Sequence, residues 1–246
     1  MSLLGDLIDS LHEDAVVRSV LVGLHWVVVC SRFCGMASTV QGDHSHGTPD
    51  VREAGNLQSK STKELVQLVH SESTVETSIG MAAINSLLEV DESLGVEINA
   101  ADVLAERGRG KNVAVIGHFP FISQLRQSVG ELWVLELHPS GNDYPAEAAP
   151  DLLPRADLVA ITSSAFINGT MAGLLKLCRP EATVMVLGPS TPLSPILFDY
   201  GVDILSGTRV VDEASVLRTV GQGASFRQVK GTKLLTFVRE KGVSFL

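Results

Sequence analysis

From about Lys111 onward short apolar runs alternate with helical stretches, although no internal sequence repeat is evident. The apolar runs are residues 112–117, 132–137, 158–162, 183–188 and 203–206. They are too short for buried helices and are rich in β-branched side chains, so they read as strands buried on both faces. The stretches between them, 121–129, 169–178, 194–200 and 212–220, read as crossover helices. Strands joined by helices run parallel and need cover on both sides, which restricts this half to an α/β, doubly wound, Rossmann-like sheet. Residues 233–239 add a last edge strand.

The first half has a different rhythm. Leu3, Leu4, Leu7, Ile8 and Leu11 fall at helical spacing with acidic residues opposite them. Residues 16–22, 26–31 and 34–40, punctuated by Gly23 and Gly35, read as a small antiparallel sheet. Residues 41–60 show neither period and read as a long loop. Two helices follow, each opened by a Ser and a Glu at capping-box spacing, Ser61 with Glu64 and Ser73 with Glu76. In the second helix Gly80, Ala82 and Ala83 allow close approach of a neighbouring backbone. The polar, Gly-containing stretch 106–111 marks a boundary that divides an α+β region, 1–108, from the Rossmann-like region, 109–246.

Charge narrows the partners. Of the 246 residues 19% are charged, the formal net charge is −9, and no dense Lys/Arg run occurs, which argues against nucleic acid. The acidic start, with Asp6, Asp9, Glu13 and Asp14, is unlike a targeting peptide, and the run 20–30 is broken by Gly23 and His25, so neither secretion nor membrane insertion is expected. Three cysteines make no disulfide framework, and a cytoplasmic protein is expected, with Cys30 and Cys34 as small buried hydrophobes. A homo-oligomer is left open.

In an open α/β sheet ligands lie beyond the carboxyl ends of the strands, so the loops there carry the candidate chemistry. They read Gly117-His118-Phe119-Pro120, then Glu136-Leu137-His138-Pro139 leading to Asp143, then Asn168-Gly169-Thr170, and last Gly188-Pro189-Ser190-Thr191-Pro192. His118 suits a ligand or a general acid/base. Glu136, 19 residues after Gly117, stands where related folds place an acid on a ribose hydroxyl. Asn168 reads as an N-cap, with Thr170 beside the helix start, and the Ser190-Thr191 loop as a stiff hydroxyl-rich holder for an anion. Gly117 and Gly188 are the turn positions. In the first half, Asp43, His44 and His46 offer metal-ligand chemistry. Glu76 and Asn85, nine residues apart on one helix, fall on opposite faces, so at most one can serve a shared site.

Taken together, the run from Ser73 through Glu76, Gly80 and Asn85, with Gly117-His118-Phe119-Pro120, Asn168-Gly169-Thr170 and Gly188-Pro189-Ser190-Thr191-Pro192, resembles the DUF364 family of heavy-metal chelation proteins, with a DUF4213 segment before it. The resemblance implies an enolase N-terminal-like domain packed on a Rossmann-like one, with a cleft between them. It implies chelation of a heavy metal or handling of a metal-binding small molecule. Read with the residues, this becomes binding or processing of a metal chelate or small anionic ligand, with His118, Asn168 and the Ser190-Thr191 loop on one side of the cleft and Glu76 on the other. His118 and Glu76 are the candidate catalytic residues. The alternative is an enzyme using an adenosine-containing cofactor such as S-adenosylmethionine, with Glu136 on the ribose. Whether the chain is catalytic, and which metal it meets, the residues leave open. Because closely paired Cys or His ligands are scarce, the apoprotein is expected to fold without metal, and metal affinity to depend on the accompanying chelator.

Overall fold

The computed structural model describes residues 2–42 and 50–239, so Asp43, His44 and His46, whose side chains offer metal-ligand chemistry, lie outside the described residues. The chain opens with α1 (Leu3–Asp9), whose Leu3 and Leu7 are buried, and continues into β1 (Ser19–Val22), β2 (Trp26–Cys30) and β3 (Cys34–Ser38). These three strands form an antiparallel sheet in the order β1-β2-β3. After the loop come α2 (Thr62–Val66) and α3 (Thr74–Leu87). Ser61 and Glu64 make both halves of the expected capping box.

Helix α3 is buried almost throughout because it packs closely on β2 and β3. The small residues explain how. A Cβ added at Gly35 would lie 2.1 Å from the Ala82 carbonyl oxygen, and one at Gly80 would lie 2.5 Å from the Val69 nitrogen. Backbone meets backbone there, and no larger residue fits.

A helix precedes and overlaps the expected linker at 106–111. Helix α4 (Ala100–Arg107) was not visible in the sequence pattern, yet Val103 and Leu104 pack with Val113, Ile122 and Leu132 on one face of the large sheet. The elements that follow are β4 (Asn112–Ile116), α5 (Ile122–Leu125), β5 (Glu131–Glu136), β6 (Tyr144–Pro145), α6 (Ala149–Leu152), β7 (Leu158–Thr162), α7 (Met171–Leu177), β8 (Thr183–Leu187), α8 (Ile196–Asp199), β9 (Ile204–Val210), α9 (Glu213–Gly221) and β10 (Thr232–Val238). The seven-stranded sheet has the order β10-β9-β8-β7-β4-β5-β6, parallel except for β10. The five parallel runs and the edge strand read from the sequence are all present.

Helix α9 departs from the crossover reading. The strand after it, β10, lies antiparallel beside β9, so the connection need not cross the sheet. Val216 and Val220 pack instead with Val28, Cys30, Cys34 and Met36 of the small sheet. The small sheet is thus held between α3 of its own region and α9 of the other.

Further contacts join the regions. One apolar cluster runs from Leu3, Leu7 and Ile79 to Ala114, Leu135 and Val159. The Trp26 indole donates to the Ala224 carbonyl at 3.0 Å, Arg18 pairs with Glu213 at 2.7 Å, and the Tyr200 hydroxyl donates to Asp6. Among the described residues no helix is long and apolar enough to cross a membrane.

The cysteine expectation is corrected. Cys30 and Cys34 are joined by a disulfide, because the tight connection between β2 and β3 places them opposite one another, with Cα atoms 4.1 Å apart. Periodicity along one strand could not show this, since the pairing lies across two.

Candidate functional site

The chain grows from β4 outward to β5 and β6, then returns to place β7 on the other side of β4. That reversal between β4 and β7 leaves a crevice at the carboxyl ends of two neighbouring strands. Gly117 follows β4 with φ +100°, and Gly188 follows β8 with φ +120°. Both flank the end of β7: a Cβ at Gly117 would lie 3.0 Å from the Thr162 Cβ, and one at Gly188 would lie 2.7 Å from the Ser163 Oγ. Glycine lets the loops fold in on either side without a steric clash.

Two cavities open here, of about 750 and 400 Å³. His118, Phe119, Thr162 and Ser164 line both, so they form the wall the cavities share. The first region adds Trp26 and Ser38 to the larger cavity and Val40 to the smaller. Volumes of this size suit small organic ligands rather than a bare ion.

His118 is 53% exposed, whereas the Asp143 side chain is only 6% exposed. The imidazole Nδ1 lies 3.1 Å from Asp143 Oδ2, and the amide and hydroxyl of Ser140 approach the same oxygen at 3.4 Å. A carboxylate accepts, so Nδ1 carries the proton, and Nε2 is left as the donor atom toward a ligand. Asp143 holds the ring's tautomer and orientation. No periodicity or spacing pairs the two, since they are 25 residues apart with a strand between them.

The remaining candidates divide. Glu136, Gly117, Asn168 and Thr170 line the smaller cavity, and Gly188 lines the larger. Asn168 does not cap α7 directly: its Oδ1 accepts from the Thr170 amide at 3.2 Å and the Thr170 hydroxyl at 2.6 Å, a turn ahead of the helix. Ser190 and Thr191 are buried and sit on neither cavity wall. Ser190 Oγ accepts from the Ser38 amide at 2.8 Å and donates to Ser38 Oγ at 3.2 Å, so it ties the two regions together instead of facing a ligand.

Glu76 is also placed differently from the expectation. Only half of its capping box exists: the Ser73 hydroxyl accepts from the Glu76 amide, but the Ser73 amide donates to Ser71 Oγ. The Glu76 carboxylate, 3% exposed, takes the Arg52 guanidinium at 2.7 Å, the Arg52 amide at 2.8 Å and the Ser71 hydroxyl at 2.6 Å. Burial alone would raise its pKa, but the hydrogen bonds from Arg52 and Ser71 outweigh that and hold it at about 2. With these partners it lines neither cavity and reads as structural.

Asn85, opposite Glu76 on α3, reaches the second region in its place. Its Nδ2 donates to the Met36 carbonyl at 2.9 Å and the Ser190 carbonyl at 3.2 Å. The remaining cysteine, Cys178, donates to the Leu174 carbonyl, and burial pushes its thiol up to about 11.

Comparison with known proteins bears out the resemblance read from the motifs. The model of the DUF364 family, described as "Putative heavy-metal chelation", matches residues 99–239, and that of DUF4213, with the same description, matches residues 5–88. A DUF364-family protein of unknown function from Desulfitobacterium hafniense has a solved structure with TM-score 0.85 and 28% identity, covering 96% of this chain and 98% of that one. Another, from Pyrococcus horikoshii, gives TM-score 0.80 at 19% identity, again over 96% and 98%, and is a likeness of fold. An uncharacterized protein of Methanocaldococcus jannaschii is 26% identical over 207 residues, 80% of this chain and 78% of that protein.

Proposed function

We propose, for a chain that belongs to the DUF364 family and carries a DUF4213 region ahead of it, that the crevice beside His118 binds a heavy metal presented as a chelate. The observation that carries this reading is the His118–Asp143 pair, one oriented imidazole on the wall shared by two cavities. A carboxylate behind a histidine fixes the ring and strengthens it as a donor, the arrangement that supports metal-bound imidazoles. One imidazole is too few ligands to cage a bare ion, which takes about four. The ion therefore arrives with its own organic ligand, and the cavities hold that ligand.

The walls suit this division. Thr162, Ser164 and the Asn168–Thr170 turn present hydroxyl and amide groups, Arg227 presents a cation, and Phe119 and Phe121, stacked at 5.0 Å, supply an apolar surface. In this reading residues 1–108 and 109–246 are the two regions between which the chelate sits. A metal held through Nε2 is the whole of the proposed chemistry, so binding and not turnover is its primary readout.

The test is calorimetric titration of the oxidised protein with zinc(II) alone and with zinc(II) citrate. The reading expects tighter binding of the citrate complex, weakened about tenfold or more in His118→Ala. Equal affinity for the two forms of zinc, unaffected by His118→Ala, would refute it.

One observation favours a second reading. Glu136 ends β5 on the wall of the smaller cavity together with Gly117, the position from which an acid can hold a ribose. An adenosine-containing cofactor such as S-adenosylmethionine would then occupy that cavity. Titration with S-adenosylmethionine, and its loss in Glu136→Ala, separates this reading from the chelate.

A further inference from the structure

The disulfide stands at a second cluster of metal-ligating atoms, away from the crevice. Cys30 Sγ, Cys34 Sγ and a carboxylate oxygen of Glu213 all lie within 4.8 Å of one another. Their convergence is built in: β2 and β3 set the cysteines opposite each other, and α9 brings Glu213 over the small sheet at its first turn. Arg18 fixes the third member, since its amide donates to the Cys30 carbonyl at 2.7 Å while its guanidinium holds Glu213 Oε2 at 2.7 Å.

We propose that reduction of this disulfide turns Cys30, Cys34 and Glu213 into a site for one soft divalent metal ion, of the zinc or cadmium class. The step balances with a cellular dithiol as reductant. The dithiol gives two electrons and two protons to the sulfur–sulfur bond and becomes a disulfide itself. The metal then displaces the two thiol protons and binds both sulfurs as thiolates. Tetrahedral thiolates on such an ion sit about 3.8 Å apart, from metal–sulfur distances of about 2.3 Å. Rotation of the two side chains supplies that separation.

Two thiolates and a carboxylate carry three negative charges against two on the ion, and the guanidinium of Arg18 neutralises the remainder. Thiolates select soft ions, and a fourth position remains for water. Cys30 and Cys34 are buried, while the Glu213 side chain is 38% exposed, so the ion enters from the Glu213 side. In the disulfide form no thiolate exists, and the site is closed. Metal uptake here is thus governed by the redox state of one hairpin, and does not depend on His118.

The test uses the full chain with Cys178→Ser, so that no third thiol interferes. It is reduced by a trialkylphosphine, freed of the phosphine without air, and titrated with cadmium(II) while thiolate-to-metal charge-transfer absorption is followed. The expected result is one equivalent bound after reduction and no such band before it. Cys30→Ser abolishes the band, and Glu213→Gln weakens binding about tenfold, the scale on which lost supporting groups weaken metal sites. Reduced, folded protein with two titrating thiols and no band overturns the proposal. Loss of the circular dichroism spectrum on reduction overturns it too, as does equal affinity in Glu213→Gln.

Discussion

Helix α3 and the strand-end loops around β7 both carry dense polar residues, but they use them in opposite ways. On α3, Glu76, Ser78 and Ser86 are buried and hydrogen-bonded inside the protein, and Asn85 ties the helix to β3 and the Ser190 loop. At the strand ends, His118, Thr162, Ser164 and Asn168 face open cavities, and the buried partner, Asp143, stands behind His118. Residue type alone does not separate structure from function here. What separates them is where the partner of each polar group lies.

That contrast is exposed to substitution. The largest effect belongs to the small sheet: Gly35→Ala drives a methyl into the Ala82 carbonyl and the Ser86 nitrogen, neither of which can move aside alone. It should cost roughly 3 kcal/mol or more in urea unfolding, since overpacking against backbone is poorly relieved. A loss under about 1 kcal/mol would show that α3 and β3 are not packed as described.

Glu76→Gln comes next, at on the order of 2 kcal/mol at neutral pH once the exposure of Arg52 is allowed for. Its folded pKa of about 2 lies below the ordinary 4.5, so its contribution is fully present above about 4.5 and is lost as the pH falls toward 2. Unfolding measured from pH 7 to pH 2 should therefore steepen in the native protein relative to Glu76→Gln across that window. Parallel profiles would mean that Arg52 does not hold the carboxylate. The smallest effect on stability belongs to the crevice. His118→Ala should change unfolding by less than about 0.5 kcal/mol, as for an exposed surface side chain, while weakening zinc citrate. Equal losses of stability in His118→Ala and Glu76→Gln would erase the distinction between the two regions.

Much of the large sheet was legible because buried parallel strands are continuous apolar runs: residues 158–162 and 183–188 announce β7 and β8 almost to the residue. Helix α4 was not, because Val103 and Leu104 are its only fully buried side chains and leave little period to read. For α9 the period showed a helix but not the sheet it covers, which depends on β10 returning antiparallel. The disulfide needed the register of β2 against β3, and periodicity within one strand holds no such information. At the site, strand-end position singled out His118 and Glu136, but Asp143 lies in a loop beyond the next strand. The opposition of Glu76 and Asn85 was readable from helix geometry. Which of the two faces the second region was not, because that depends on where Arg52 and Ser190 come to lie.

In the proposed chelate complex the protein's donor atom is His118 Nε2, with Asp143 behind it. Anomalous scattering at the zinc edge, from crystals of the oxidised protein grown with zinc citrate, locates that donor. The expected result is a single zinc peak about 2.1 Å from His118 Nε2, with density for the chelator in the flanking cavities. A peak elsewhere with the His118 wall empty, or a peak at His118 that persists in full when Asp143 is replaced by Ala, would overturn this assignment.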